Sequence, residues 1–499
     1  MKNQFSRRRF LATAGATAGL GLAGKSLFNI DKVLAQGPFV RPNVAGLTLA
    51  SPAITSYIAG ITAMKKLDLK APPYNPCGWA YQTAIHGTTL AGMNVAWNTC
   101  QHGTNYFWSW HRMYLYWFER IIRKLSGNAS WALPYWDWQA NPGLPSMFQN
   151  PPVGSPTLNV PAPNRAAAMN NGTGTVSNLT PGVNAALAQC LYEGVSGADA
   201  LIQSPHNVLH VEVGGGPVGW MSNILTAAMD PVFFVHHANC DRLWDIWLAQ
   251  GMRCNPVTDP VWEAQTFTFF DENANQVTMT GCDVLRAAAQ LNYTYQGEPP
   301  QVNQFCNVAP TCCTGTSTVI INQCIPTPPY LLPPGPGPYY FQFPVSSQLA
   351  QQLIAYAQNS SYTLYLQFGG VTAPTQPGVV WDIYVGLPVG SSPYPTSPYY
   401  VGTYGLYGAG VADEPPDGDE PAVFNVPVNT ALLTALQAGE QSVPVTFSPH
   451  GVLVNGNPTL PSQQSTVSIT QAQLSVQMTS ESGNAIANAV PPHRHLSGK

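Results

Sequence analysis

Seven of the ten histidines lie between residues 86 and 237, in two tight groups: His86, His102 and His111, then His206, His210 and the adjacent pair His236 and His237. A fold that uses them together has to bring helical and loop segments into one buried core. His206 and His210, in Ser204-Pro205-His206-Asn207-Val208-Leu209-His210, are four residues apart. On a helix such imidazoles stack on one face and can close on a single ion. The pair lacks the glutamate beside its first histidine that a zinc-protease helix carries. His102 and His111 are half a turn out of phase on a continuous helix, so one of them must come from a loop. Cys100-Gln101-His102-Gly103-Thr104 has loop character, and Trp110-His111-Arg112 begins a helical run. Six imidazoles with no carboxylate ligand pattern favour copper over magnesium, calcium or manganese, and leave zinc open.

Helical signals run from about Ala45 to Gln250, with apolar or amphipathic stretches at Arg112 to Leu125 and Pro231 to Leu248. Asp230-Pro231 opens the second as an N-cap followed by proline at the first helical position. Residues 142–181 are rich in Pro, Asn, Gly and Thr and read as a long surface excursion. Pro326 to Pro338 holds seven prolines in thirteen residues, the composition of a stiff linker. Beyond it, β-type runs at Tyr362 to Phe368, Trp381 to Leu387, Tyr399 to Tyr407, Val443 to Phe447 and Val467 to Val476 are each bounded by Gly, Pro or Ser, as in an antiparallel sandwich. The reading is of a mainly α protein: a leader at 1–35, a helical domain at 40–305, a Cys- and Pro-rich linker at 306–338, a C-terminal β domain at 339–478 and a polar, disordered tail at 479–499.

Only 9% of residues are charged, and the net charge of −4 includes no basic run that would track phosphates. Nucleic acid is excluded as an expected partner. Arg7-Arg8-Arg9-Phe10-Leu11, a mildly apolar stretch and Val33-Leu34-Ala35 read as a twin-arginine export signal, so the expected location is periplasmic or extracellular. No other stretch has the ~20 consecutive apolar residues of a membrane span. Ten cysteines permit disulfides in such a compartment, and Cys306, Cys312, Cys313 and Cys324 suit local staples, although spacing does not dictate pairing.

His102-Gly-Thr-Asn-Tyr-Phe107-Trp108-Ser-Trp110-His111-Arg112, continuing to Glu119 and Pro134-Tyr135-Trp136-Asp137-Trp138, resembles the first copper-binding motif of tyrosinases, catechol oxidases and molluscan haemocyanins. Asp230-Pro231-Val-Phe233-Phe-Val-His236-His237-Ala-Asn-Cys-Asp241-Arg242-Leu-Trp244 resembles the second. The resemblance covers roughly residues 45 to 250; Trp108 departs from it, standing where the family usually has a smaller apolar residue. It implies a four-helix-bundle core binding two copper ions through His86, His102, His111, His206, His210 and His237, with His236 a core residue beside them. Asp241, one turn beyond His237, either orients that imidazole or is a helix-packing partner of arginine.

The same resemblance implies a thioether between Cys100 and His102, dioxygen as co-substrate, and ortho-hydroxylation and oxidation of monophenols, or oxidation of o-diphenols, to o-quinones. Asn207, with Glu193 as the candidate carboxylate, would hold the water that takes the phenolic proton. The alternatives are an o-aminophenol oxidase and a haemocyanin-like oxygen binder without turnover; oligomeric state and any copper-delivery partner stay open. The β domain resembles the one that follows the copper domain in plant polyphenol oxidases, which implies that it shields the site with an aromatic from the Tyr399 to Tyr407 run.

Overall fold

The computed structural model describes residues 38–478 apart from 70–72, 91–93, 195–196, 251–252, 254, 258, 299–317, 325–328, 408–421 and 460–464. The leader at 1–35, the tail at 479–499 and Cys306, Cys312 and Cys313 lie outside the described residues. No helix among the described residues is long and apolar enough to cross a membrane.

Five helices build the first domain around the histidines: α1 (Pro52–Asp68), α2 (Trp79–His86), α3 (Phe107–Ser126), α5 (Ala198–Gly214) and α6 (Val232–Ala249), with the shorter α4 (Thr180–Leu187) packed on α5. Ser51 precedes α1 and Pro52 opens it, where a missing N–H costs nothing. Its buried Ile54, Tyr57, Ile61 and Met64 recur at helical spacing, and this stripe lies in the packing of α1 on α2 and α3. Each such side chain stabilises by roughly 1.5–3 kcal/mol. Helix α3 stops at Gly127, whose φ of 74° is left-handed, with Arg123 and Lys124 in its last turn. Asp230 caps α6 as expected, its Oδ1 accepting from the Val232 N–H at 3.0 Å.

Helices α3 and α6 are clamped by buried charge. Arg112 pairs with Asp241 and Asp245, and Arg41 reaches Asp241 at 2.9 Å and Glu119 at 2.7 Å. The Tyr293 and Tyr295 hydroxyls also donate to Asp241, at 2.5 and 2.6 Å. Burial would raise the Asp241 carboxyl, but Arg112, Arg41 and the two tyrosines hold it below the ordinary range.

The segment at 142–181 is not the surface excursion its composition suggests. Leu144, Met147, Phe148, Leu158, Val160 and Met169 are buried, and Arg165 is fully enclosed, donating to Asp230 at 2.8 Å and to the Phe148 carbonyl at 2.5 Å. A few apolar anchors and one buried arginine override a turn-rich composition.

The second domain is an antiparallel sandwich. One sheet runs β7 (Tyr400–Gly405), β6 (Val380–Val385), β9 (Ser442–His450), β4 (Tyr339–Pro344); the other runs β8 (Ala422–Pro427), β5 (Tyr362–Thr372), β12 (Val467–Met478), β2 (Thr318–Cys324), with β3 (Tyr330–Leu332) also on β12. Trp381, Ile383, Phe368, Phe447, Leu474 and their neighbours fill the space between the sheets. Helices α7 (Ser347–Ala357) and α8 (Asn429–Gln437) pack with them. The expected linker at 306–338 needs correction: its Thr318-Val-Ile-Ile run and Tyr330-Leu-Leu are strands β2 and β3, because they pair with the edge of β12 opposite the one that β5 covers. The two domains share a small sheet. β10 (Leu453–Val454) pairs with β1 (Gly174–Thr175) of the first domain and with β11 (Asn457–Pro458).

Candidate metal centre

His86 ends α2, His102 lies on the loop before α3, His111 is in the first turns of α3, His206 and His210 share one face of α5, and His237 belongs to α6. Loop and helix therefore supply His102 and His111 as their phase requires. Gly103, at φ 70°, donates its N–H to Gln203 Oε1 of α5 at 2.7 Å and so pins the loop. Gly87 lets the end of α2 press on the next layer: a Cβ there would meet the Ile224 carbonyl oxygen at 2.3 Å.

The imidazoles converge in two sets. The rings of His86, His102 and His111 are 5.2–5.9 Å apart in every pairing. His237 Nε2 is 3.3 Å from both His206 Nε2 and His210 Nε2. Backbone carbonyls orient the rings from behind. His86 Nδ1 faces the Ile224 carbonyl at 3.1 Å, His111 Nδ1 that of Phe107 at 2.7 Å, and His210 Nδ1 that of Met221 at 2.8 Å. A proton on Nδ1 donated to a carbonyl leaves the Nε2 lone pair directed into the centre. His206 Nδ1 instead meets the side-chain oxygen of Asn207 at 2.9 Å.

In the first set the inward nitrogens have no partner among the described residues: His86 Nε2, His111 Nε2 and both ring nitrogens of His102 are buried and unbonded. Burial pushes all six imidazoles below the ordinary histidine value, to about 3 for His86 and His206, so they stay neutral. Neutral, dry, unpaired imidazoles without a carboxylate among them fit a pair of copper ions.

His236, expected as a core residue, is buried between Trp138 and the rings of His206 and His210, and its ligand atom lies within 4.8 Å of those of His206, His210 and His237. Asp241 is not the orienter of His237: it is consumed by the Arg41 and Arg112 clamp. Cys100 is buried, with its sulfur within 4.8 Å of ligand nitrogens of His86 and His102. Glu193 stands with Oε2 3.5 Å from Asn105 Nδ2, and burial together with Asp259 raises its carboxyl. Trp108 points away from the histidines, stacking on Trp244 at 5.9 Å and donating to the Cys240 carbonyl at 2.9 Å.

Two phenylalanines were unassigned by sequence reasoning although both lie in the quoted motifs. Phe107 is 4.7 Å from the rings of His111 and His206, and Phe233 is 4.7 Å from His86 and 4.2 Å from His237. Each bridges the two sets with an apolar ring. From the β domain, Tyr407 lies 4.2 Å from His210 at 24°, 5.4 Å from His102 and 5.8 Å from His206. It is the aromatic that the Tyr399 to Tyr407 run was expected to supply.

Residues 76–184 and 175–250 match the family model described as the common central domain of tyrosinase, and 256–306 match the polyphenol oxidase middle domain. The helical domain belongs to the tyrosinase and polyphenol oxidase family.

Tyrosinase HcTyr1 of Hahella sp. (strain CCB-MM4) is 34% identical over 297 residues, 50% of this chain and 61% of that protein. The latent form of chloroplastic polyphenol oxidase from Prunus armeniaca is 31% identical over 221 residues, 38% of this chain and 37% of that protein. The chain thus spans less than two thirds of either relative. In fold, it is similar to a latent aurone synthase (polyphenol oxidase), with a TM-score of 0.59, 18% identity and 88% of this chain and 89% of that one covered. The latent apple tyrosinase gives 0.55, 20%, 89% and 98%. Both likenesses extend over the tyrosinase-type domain and the sandwich together. The middle-domain match also divides the expected 40–305 unit at about residue 256. There the hairpin of Thr266–Phe270 and Gln276–Thr280 sets Phe269 against Trp110 and Tyr114 of α3.

Proposed function

We propose that this chain is a copper-dependent phenol oxidase of the tyrosinase type, which uses dioxygen to convert monophenols and o-diphenols to o-quinones. The observation that carries the reading is the convergence of six neutral imidazoles into two adjacent sets that share apolar walls, with inward nitrogens that are unbonded among the described residues in the first set and face one another at 3.3 Å in the second. A bound copper pair would supply dioxygen activation and the electron transfer. His86, His102 and His111 would hold one ion, and His206, His210 and His237 the other. Phe107 and Phe233 exclude water, and the carbonyls of Ile224, Phe107 and Met221 fix three rings in a ligating tautomer.

Asn207 is the residue proposed to position the water that accepts the phenolic proton, because its amide oxygen is already fixed by His206 and its amide nitrogen remains to orient another group. Glu193 is proposed as the accompanying carboxylate. Glu193→Gln would slow monophenol turnover and spare o-diphenol turnover; an equal effect on both would remove Glu193 from this role. The Cys100–His102 thioether is proposed from the placement of that sulfur, and a peptide containing both residues that is lighter by two hydrogens would report it. Tyr407 is proposed to cover the site until it is displaced. Export by the twin-arginine route is proposed from Arg7-Arg8-Arg9-Phe10-Leu11, the apolar stretch after it and Val33-Leu34-Ala35, and loss of a fused reporter's export in Arg7→Lys/Arg8→Lys would test it.

The deciding experiment loads the full chain and its Tyr407→Ala variant with copper and assays each with a monophenol, an o-diphenol and an o-aminophenol. Oxygen uptake with quinone formation, larger in Tyr407→Ala, is expected. Stoichiometric copper and reversible oxygen binding without turnover in Tyr407→Ala would make the protein an oxygen carrier instead.

A further inference from the structure

Tyr407, the residue that covers the histidine centre, is itself a phenol. Its ring spans both histidine sets, stacked on His210 at 4.2 Å and edge-on to His102 at 5.4 Å. Its hydroxyl is buried and has no hydrogen-bond partner among the described residues. As a plug, that hydroxyl is a cost without return, because a phenylalanine would fill the same space without stranding a donor. The ring is also held in place: the preceding Gly405 lies so close to α5 that a Cβ on it would be 2.9 Å from Val208 Cα and 3.2 Å from the Asn207 carbonyl carbon. Seating of this kind turns an encounter into a positioned, intramolecular one.

We propose that Tyr407 is an internal substrate of the centre it covers, oxidised once to its o-quinone when the copper-loaded chain meets dioxygen. The inference rests on the phenol oxidase reading above. In the balanced step one oxygen atom of dioxygen bonds to the ring carbon ortho to the hydroxyl. That carbon's hydrogen and the phenolic hydrogen leave with the second oxygen atom as water. The phenol is oxidised and dioxygen reduced, with no other reductant. The product is a dicarbonyl ring without a hydroxyl donor and of greater polarity, poorly suited to stacking on His210 in a dry pocket. The cover is therefore consumed by the first turnover, and its oxidation loosens the seat.

The test is peptide mass spectrometry on the full-length chain, loaded anaerobically with cuprous copper and then given isotopically labelled dioxygen. The peptide containing Tyr407 is expected to carry one labelled oxygen, dependent on both copper and oxygen, while the corresponding Tyr407→Phe peptide stays unchanged. In parallel, copper-loaded Tyr407→Ala is assayed with an added monophenol. If it forms quinone while wild-type Tyr407 stays unmodified, the internal-substrate inference is overturned and the phenol oxidase reading stands. If neither reacts, the phenol oxidase reading has failed and the inference falls with it.

Discussion

His236 and His237 are adjacent, both fully buried, and chemically identical, yet they meet different surroundings. His237 Nε2 is at 3.3 Å from the Nε2 atoms of two other imidazoles, whereas His236 packs ring-on-ring with His206 at 20°. His237→Ala is expected to lower bound copper from two ions to one, and His236→Phe to retain two, as read by metal analysis after loading and dialysis. Two ions in His237→Ala would shift the ligand role to His236. Asn207 acts through His206: with its amide oxygen gone, that ring is free to turn. Asn207→Ala is expected to weaken binding of the second ion, or turnover, by about 10–100-fold, the usual cost of losing a ligand's outer partner. The comparison is a copper titration against wild type, and an unchanged affinity together with unchanged turnover would deny Asn207 any hold on His206.

At the scale of elements, α3 and α6 each carry a proposed ligand, His111 and His237, whose rings stack at 4.2 Å. What sets the helix spacing is the Arg112–Asp241 pair, next in sequence to His111 and one turn beyond His237. Asp241→Asn leaves Arg41 and Arg112 buried with reduced compensation and is expected to destabilise by about 3–5 kcal/mol, seen as a lower urea midpoint. Wild-type stability would mean that Glu119 and Asp245 suffice. Strand β7 presents a different dependence, since it delivers Tyr407 only because Gly405 lies flat against α5. Gly405→Val keeps every ligand and Tyr407 itself but cannot seat. Its activity towards added o-diphenol is expected to exceed wild type severalfold in the unproteolysed chain, and equal activities would show that seating does not limit access.

For the whole molecule, the domain boundary is charged as well as hydrogen-bonded. His450 at the end of β9 lies 3.3 Å from Asp382 of β6, and α5 brings Glu212 towards it. Burial would lower this imidazole, but Asp382 and Glu212 raise it to about 9. Because the folded value exceeds the unfolded one near ~6.5, the stabilisation is fully present below that pH and is lost as pH rises through about 9. It is on the order of 3 kcal/mol. Denaturation of wild type and His450→Gln should differ by about that much at pH 6 and converge above pH ~9.5. A gap independent of pH would mean that His450 packs without being charged.

Helix spacing, capping and half-turn phase were enough to identify α3, α5 and α6, to assign His102 to a loop and to pair His206 with His210, because these are local regularities of the backbone. Alternation likewise located β5, β6, β7, β9 and β12. Composition misled at 142–181 and at 306–338, where proline and glycine signal turns but not the buried Arg165 or the free edge of β12 that such segments meet. The resembled motif, whose ligand stands four residues before Asp241, already selects His237 over His236, but no spacing rule assigns Asp241 to two arginines or selects Tyr407 from the aromatics around it. Those outcomes depend on which surfaces, distant in the chain, are pressed together, and only tertiary packing decides that.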